Sequence, residues 1–186
     1  SAARDAQPIH RLVDLVPPSS QRLQNMSLED ARELLRRHPE RMLEVEGSFA
    51  LVARDGERVL LARSLDRPLR YFLAKEEAGP FLIVADRIDT IAPRLEEEGY
   101  SSQFHPTYTR MVPAHHVTTL RLIGCPDPNP TQTRFFDPPL GTLPADLDQI
   151  GERYVSAVLE EVRRWLSAQT PEERNEPIGV CFSGGI

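Results

Sequence analysis

The sequence predicts an α+β fold: a strand-rich unit over residues 1–122, a proline-rich connection over 123–144, and the start of a second unit over 145–186. Three observations carry this. Phe49–Arg54 and Arg58–Arg63 are two apolar runs joined by Asp55-Gly56-Glu57, the pattern of a β-hairpin. Pro126, Pro128, Pro130, Pro138, Pro139 and Pro144 crowd one stretch, which suits an extended connection. Beyond it Ile150, Tyr154, Ala157, Val158, Glu161, Val162 and Trp165 follow a 3.6-residue period, predicting one long helix over Ala145–Ala168.

The remaining elements follow in order. Residues 1–26 are weakly patterned, with an apolar stretch over Ile9–Val16 that breaks at Pro17-Pro18-Ser19-Ser20. Ser27 opens a helix: its hydroxyl can cap the first turn, Glu29 and Asp30 suit the positive end of the dipole, and Leu28, Ala31, Leu34 and Leu35 recur at helical spacing. Pro39 interrupts it. Leu69–Ala74 and Phe81–Ala85 read as a second strand pair, Ile88–Glu97 as a short helix, and the alternating, β-branched Val117–Leu122 as a strand. Pro177–Phe182 is a short apolar run that enters Ser183-Gly184-Gly185-Ile186.

Composition excludes several function classes. With 22 basic and 28 acidic residues the formal charge is −6, and Lys75 is the only lysine among scattered arginines, so neither nucleic acid nor an anionic membrane is the expected partner. No apolar run is long enough for a membrane span, and the first residues lack the apolar core of a secretory signal. Cys125 and Cys181 form no framework, and His10, His38, His105, His115 and His116 have no metal-ligand spacing, so a reducing, cytoplasmic setting is expected. On a strand, the adjacent His115 and His116 would point to opposite faces. Asp66 and Arg67 read as an ion pair in a turn, His116 as structural, and Trp165 as a core or domain-contact residue.

A buried strand that delivers Ser183, Gly184 and Gly185 at its carboxyl end has a definite use. Glycines let the chain turn so that successive N–H groups converge on an anion, and a helix that starts there adds its positive end. Ser183-Gly184-Gly185-Ile186 resembles the opening of the pyrophosphate-binding loop of the N-type ATP pyrophosphatases, which continues with Asp and Ser. The first half resembles one branch of that family, the asparagine synthetases with a class II amidotransferase domain, a group that includes β-lactam-forming members. Gly47–Val52 is similar to the family's Gly-Met-Phe-Ala strand, Ala62–Tyr71 to its Ala-Arg-Asp…Pro-Leu-Tyr segment, and Val84–Ile91 to its Ala-Ser-Glu segment. Met111–Val117 is similar to Leu-Pro-Pro-Gly-His, and Arg134–Pro138 to the Tyr-Trp…Pro that follows it. The five blocks stand in family order.

The resemblance implies sheet layers of the N-terminal-nucleophile type with flanking helices, then the first helix and strand of an α/β ATP-pyrophosphatase domain. It implies ATP and Mg2+ as cofactors of the complete protein, with Ser183, Gly184 and Gly185 binding the nucleotide, and a small-molecule carboxylate as substrate. A homodimer is among the partners it allows. The sequence departs from the family in front: residue 1 is Ser where an active amidotransferase has Cys, and no glutamine-holding segment precedes Gly47. The expected function is therefore the front part of an adenylating, amide-forming ligase with no glutaminase activity and no catalytic residue of its own. The alternatives are a non-catalytic scaffold or dimerisation domain and, as a minor one, a hydrolase using Ser1 as N-terminal nucleophile.

Overall fold

The computed structural model describes residues 11–74, 81–121 and 130–179. The chain divides into two compact units, residues 1–137 and 138–186.

The first unit is built on period-2 patterning. Strands β4 (Ala50–Asp55) and β5 (Arg58–Arg63) form the predicted hairpin, with Asp55 opposite Arg58 and only Gly56 and Glu57 in the turn. Gly56 has φ 56°, a left-handed conformation that glycine adopts without a steric cost. Strand β9 (His116–Arg121) lies antiparallel against β5, and β10 (Thr131–Arg134) against β9, giving a sheet ordered β10-β9-β5-β4. A second sheet, ordered β1-β7-β6-β8, joins β1 (Arg11–Asp14), β6 (Arg70–Ala74), β7 (Phe81–Ala85) and β8 (Arg110–Met111). In it β1 runs parallel to β7 and the other pairs are antiparallel. A short ribbon pairs β2 (Arg22–Leu23) with β3 (Gly47–Ser48).

The two sheets pack face to face. Ala50, Val52, Val59, Leu61 and Leu120 from one meet Tyr71, Leu82 and Val84 from the other in a single buried cluster. The alternate residues of the same strands face outward, yet they too are buried. Leu51, Ala53, Leu60, Ala62 and Val117 lie under Ala31 and Leu35 of helix α1 (Leu28–Arg37), and Phe72, Ala74, Phe81, Ile83 and Ala85 lie under Ile91 and Leu95 of helix α2 (Ile91–Glu97). The order of layers is thus helix, sheet, sheet, helix. Because both faces of each sheet are covered, the strands read as nearly continuous apolar runs rather than as alternation.

Local signals place the helices. The Ser27 hydroxyl accepts the Asp30 N–H at 3.1 Å, and α1 stops at Arg37 because His38, which precedes Pro39, takes a non-helical φ of −136°. The segment read as one short helix is a 3-10 turn over Ile88–Thr90 followed by α2. Five short strands, β1, β2, β3, β8 and β10, are absent from the sequence reading. β10 lies inside the stretch assigned to the connection and carries the first unit's sheet into it.

In the second unit helix α3 (Leu147–Ser167) is capped by Asp146, whose carboxylate accepts the N–H groups of Asp148 at 3.0 Å and Gln149 at 3.2 Å. No residue of α3 is buried, and Trp165, expected in a core or domain contact, is 45% exposed. Among the described residues no helix is long and apolar enough to cross a membrane.

Gly47 has φ 114°, and a Cβ there would run into the Arg22 carbonyl across the β2–β3 ribbon. Gly47→Ala is therefore expected to destabilise the first unit by about 2–4 kcal/mol, from steric overlap and a backbone region that side chains rarely adopt. Urea denaturation followed by far-UV circular dichroism checks this.

Candidate functional site

Ser183, Gly184 and Gly185 lie outside the described residues, as do Ser1, Cys125 and Cys181. The blocks that carry the family resemblance lie almost wholly within them, and strand directions bring these blocks to one end of the sandwich. The amino ends of β4, β6 and β9 and the carboxyl ends of β1, β5, β7 and β10 share that end, because Ala50 pairs with Arg63, Ala62 with Val117, Arg70 with Ala85, Asp14 with Val84, and Arg134 with His116.

Arg63 joins the parts. Its guanidinium donates from Nε to the Val112 carbonyl at 2.6 Å and from Nη1 to the carbonyls of Ser64, Leu65 and Arg67 at 3.2, 3.1 and 3.0 Å. One side chain thus holds the β5–β6 loop closed and ties it to the segment after β8, in the opposite sheet. Burial pushes the Arg63 guanidinium below its ordinary value, the positive charge of Arg70 adds to that, and Asp66 opposes it. Five rigid donors satisfy several inward-pointing carbonyls at once, which a lysine cannot do.

The neighbouring groups are engaged in the same way. Asp66 accepts hydrogen bonds from the hydroxyls of Ser48 and Ser64. It does not pair with Arg67, as the sequence suggests; Arg67 reaches Asp86 at 3.3 Å across the loop, and the Asp66 oxygens accept from Ser48 and Ser64 instead. Asp14, at the end of β1, accepts the Val16 N–H at 3.0 Å and faces Arg32 of α1 at 3.6 Å. Burial raises the Asp14 pKa, the Val16 N–H and Arg32 pull it back, and the Asp86 charge adds to the rise.

His115 is not on a strand opposite His116. It occupies a turn with φ 58°, and β9 begins only at His116. From that turn its carbonyl accepts the Phe135 N–H at 3.0 Å, and its ring stands edge-on to Phe135 and Phe136 at 6.0 and 4.8 Å. His116 Nδ1 lies 2.8 Å from the Ala114 carbonyl, in keeping with a structural role.

All five blocks therefore meet: the first through Ser48, the second through Arg63 and Asp66, the third through Asp86, the fourth through Val112 and His115, and the fifth through Phe135. Chemically the cluster is a polar brace. The Ser48 and Ser64 hydroxyls donate to a carboxylate, too weak a base to make a nucleophile of either. Among the described residues no group of three or more His, Cys, Asp or Glu side chains is gathered as a metal site. Sequence reasoning missed Arg63, Asp14 and Asp86 as members. The one available signal was that each stands at the end of an apolar run.

Comparison with known proteins returns no matching family model, no matching curated protein and no matching solved structure.

Two outcomes are expected here. Arg63→Met should destabilise the first unit by about 2–4 kcal/mol, since it leaves several carbonyls without their donor; Arg63→Lys should recover less than half of that, both read from urea midpoints. For Asp14 the sign follows from the raised pKa. The folded state holds the proton more tightly than the unfolded chain, so this contribution is full below about pH 4 and is lost as pH rises through the folded value. The stability of the native chain relative to Asp14→Asn should thus fall as pH rises from about pH 4 through the folded-state value. A pH-independent difference between the two would show that the Asp14 pKa is not raised in the folded state.

Proposed function

We propose that this chain acts as the front part of an asparagine-synthetase-like, ATP-dependent ligase that forms an amide through an adenylated carboxylate. In this reading residues 11–137 are an amidotransferase-like domain of the N-terminal-nucleophile type that has kept its layers and lost its glutaminase. Residues 145–186 open the ATP domain. The observation that carries the reading is the convergence of the five resembling blocks at one end of a helix-sheet-sheet-helix sandwich. Segments similar to one family in sequence order are here neighbours in space, which supports the reading.

The chemistry at that end supports a structural rather than hydrolytic role for the domain. Its guanidinium and carboxylate groups are turned on each other and on backbone carbonyls, so glutamine hydrolysis is not assigned to it. The nucleotide falls to Ser183, Gly184 and Gly185, with Mg2+ neutralising the phosphates, in a cytoplasmic setting. Backbone N–H groups at Gly184 and Gly185 would take phosphate oxygens and the Ser183 hydroxyl would donate to the same group, while a carboxylate oxygen of the substrate would attack the α-phosphorus of ATP, forming the acyl adenylate as the bond to the β-phosphate breaks and pyrophosphate leaves. A second reading, a scaffold or dimerisation module, is favoured by one observation, the exposed apolar face of α3.

The test is ATP–pyrophosphate exchange with a panel of carboxylates, using the complete gene product. Gly184→Val should lower exchange by at least 100-fold, because a β-branched side chain would stand where phosphate must approach the backbone. Exchange unchanged in that variant would move the nucleotide site elsewhere, and no exchange with any carboxylate would favour the scaffold.

A further inference from the structure

β1 lies on the edge of a strand far better buried than itself. None of its four residues is buried, whereas every residue of β7 is. Among the described residues β1–β7 is the one parallel pair, an arrangement slightly less stable per residue than the antiparallel one. The pairing also ends soon. Leu15 gives its N–H to the Val84 carbonyl at 2.8 Å, and Pro17 and Pro18 then have none to give. We propose that β1 is a strap: it detaches from β7 as a unit while both sheets stay folded, and so bares the edge of a buried apolar strand. The proposal does not depend on the ligase reading.

The strap is clasped at its two ends, from two different helices. Arg11 pairs with Glu98, just past the end of α2, and its guanidinium stands 5.2 Å from the centre of the Phe81 ring. Asp14 faces Arg32 of α1 at 3.6 Å, beyond hydrogen-bond reach. Both clasps are weak. Arg11 is 43% exposed, and an ion pair open to water gains little. Burial and the Asp86 charge oppose the ionised Asp14, Arg32 and the Val16 N–H favour it, and its carboxyl stays above the ordinary range, so the pair does not repay its own burial. Between the clasps the apolar hold is two half-buried side chains, Leu12 against the cluster between the sheets and Val13 against the cluster under α2.

Beyond the strap the chain is pinned. Val16 is buried between the sheets, and the Gln21 side-chain oxygen accepts the Ala50 N–H of β4 at 2.8 Å. Opening is therefore confined to the residues before Val16. It would leave the backbone groups on one side of β7 without a strand, and it would withdraw Asp14 from Arg32 and Asp86. The polar end of the sandwich thus has two arrangements, one with Asp14 in place and one without it. Regions that open separately from the whole are those with few buried contacts, as here.

Native-state hydrogen exchange of the 186-residue chain, followed residue by residue by NMR at several low urea concentrations, tests this. The Leu15 N–H and the β7 N–H groups that pair with β1 should exchange together, about 10-fold or more faster than the amides of β5 and β9, and with a smaller urea dependence, because the opening exposes little surface. The β7 N–H groups bonded to β6 should stay slow. Arg11→Gln should speed exchange of the strap roughly 3- to 10-fold. Leu60→Val, buried under α1 and remote from β1, should speed β5 and β9 about 3-fold or more and leave the strap unchanged, since the Leu60 contacts persist when the strap is open. Exchange of β1 at the rate and urea dependence of β5 overturns the proposal. So does a strap that Leu60→Val speeds as much as it speeds β5, or one indifferent to Arg11→Gln.

Discussion

The first unit depends on one constraint: the β4–β5 hairpin must bury both of its faces. Ala50, Val52, Val59 and Leu61 point into the space between the sheets, while Leu51, Ala53, Leu60 and Ala62 point towards α1. A sheet apolar on one face needs one covering layer, and this hairpin needs two. The second sheet repeats the demand, with Leu82 and Val84 facing inward and Phe81, Ile83 and Ala85 facing α2. Each helix amphipathic enough to cover a sheet is thus held against an outer face, and four layers are the smallest arrangement that leaves neither sheet wet.

Such a sandwich creates a second requirement at its ends, where strands stop and loops turn back over apolar layers. Carbonyls that no longer face a neighbouring strand must find donors. Arg63 meets this at the end shared by β4, β5, β6, β7 and β9, giving hydrogen bonds to carbonyls from two segments in different sheets. The surrounding pairs, Arg67 with Asp86 and Arg32 with Asp14, neutralise charges that packing has drawn partly out of water. Ionic groups at strand ends invite a catalytic interpretation. Here the distances show them spent on each other and on the backbone, which is why this end of the first unit reads as architecture.

The second unit follows a different logic. α3 is sustained by local terms: the Asp146 cap, Arg164 with Glu160 at 2.7 Å, and a largely helix-favouring sequence. Among the described residues none of its apolar side chains is buried.

What the sequence determined by itself was everything set by neighbours along the chain. The β4–β5 turn was legible from Asp55-Gly56, the start of α1 from Ser27, its end from Pro39, and α3 from a 3.6-residue period, because capping, turn geometry and periodicity act within a few residues. The order of the resembling blocks was legible too, though not that they touch. Only the tertiary structure decided the rest. β1 and β10 are strands because β7 and β9 offer them edges; Arg11-Leu12-Val13-Asp14 and Thr131-Gln132-Thr133-Arg134 carry little strand signal of their own. Arg67 pairs with Asp86, 19 residues away, rather than with its sequence neighbour Asp66, whose oxygens accept from Ser48 and Ser64. Arg63 became the brace only when packing brought Val112 within reach of it from 49 residues away, a contact set by the stacking of two sheets and invisible to any local pattern.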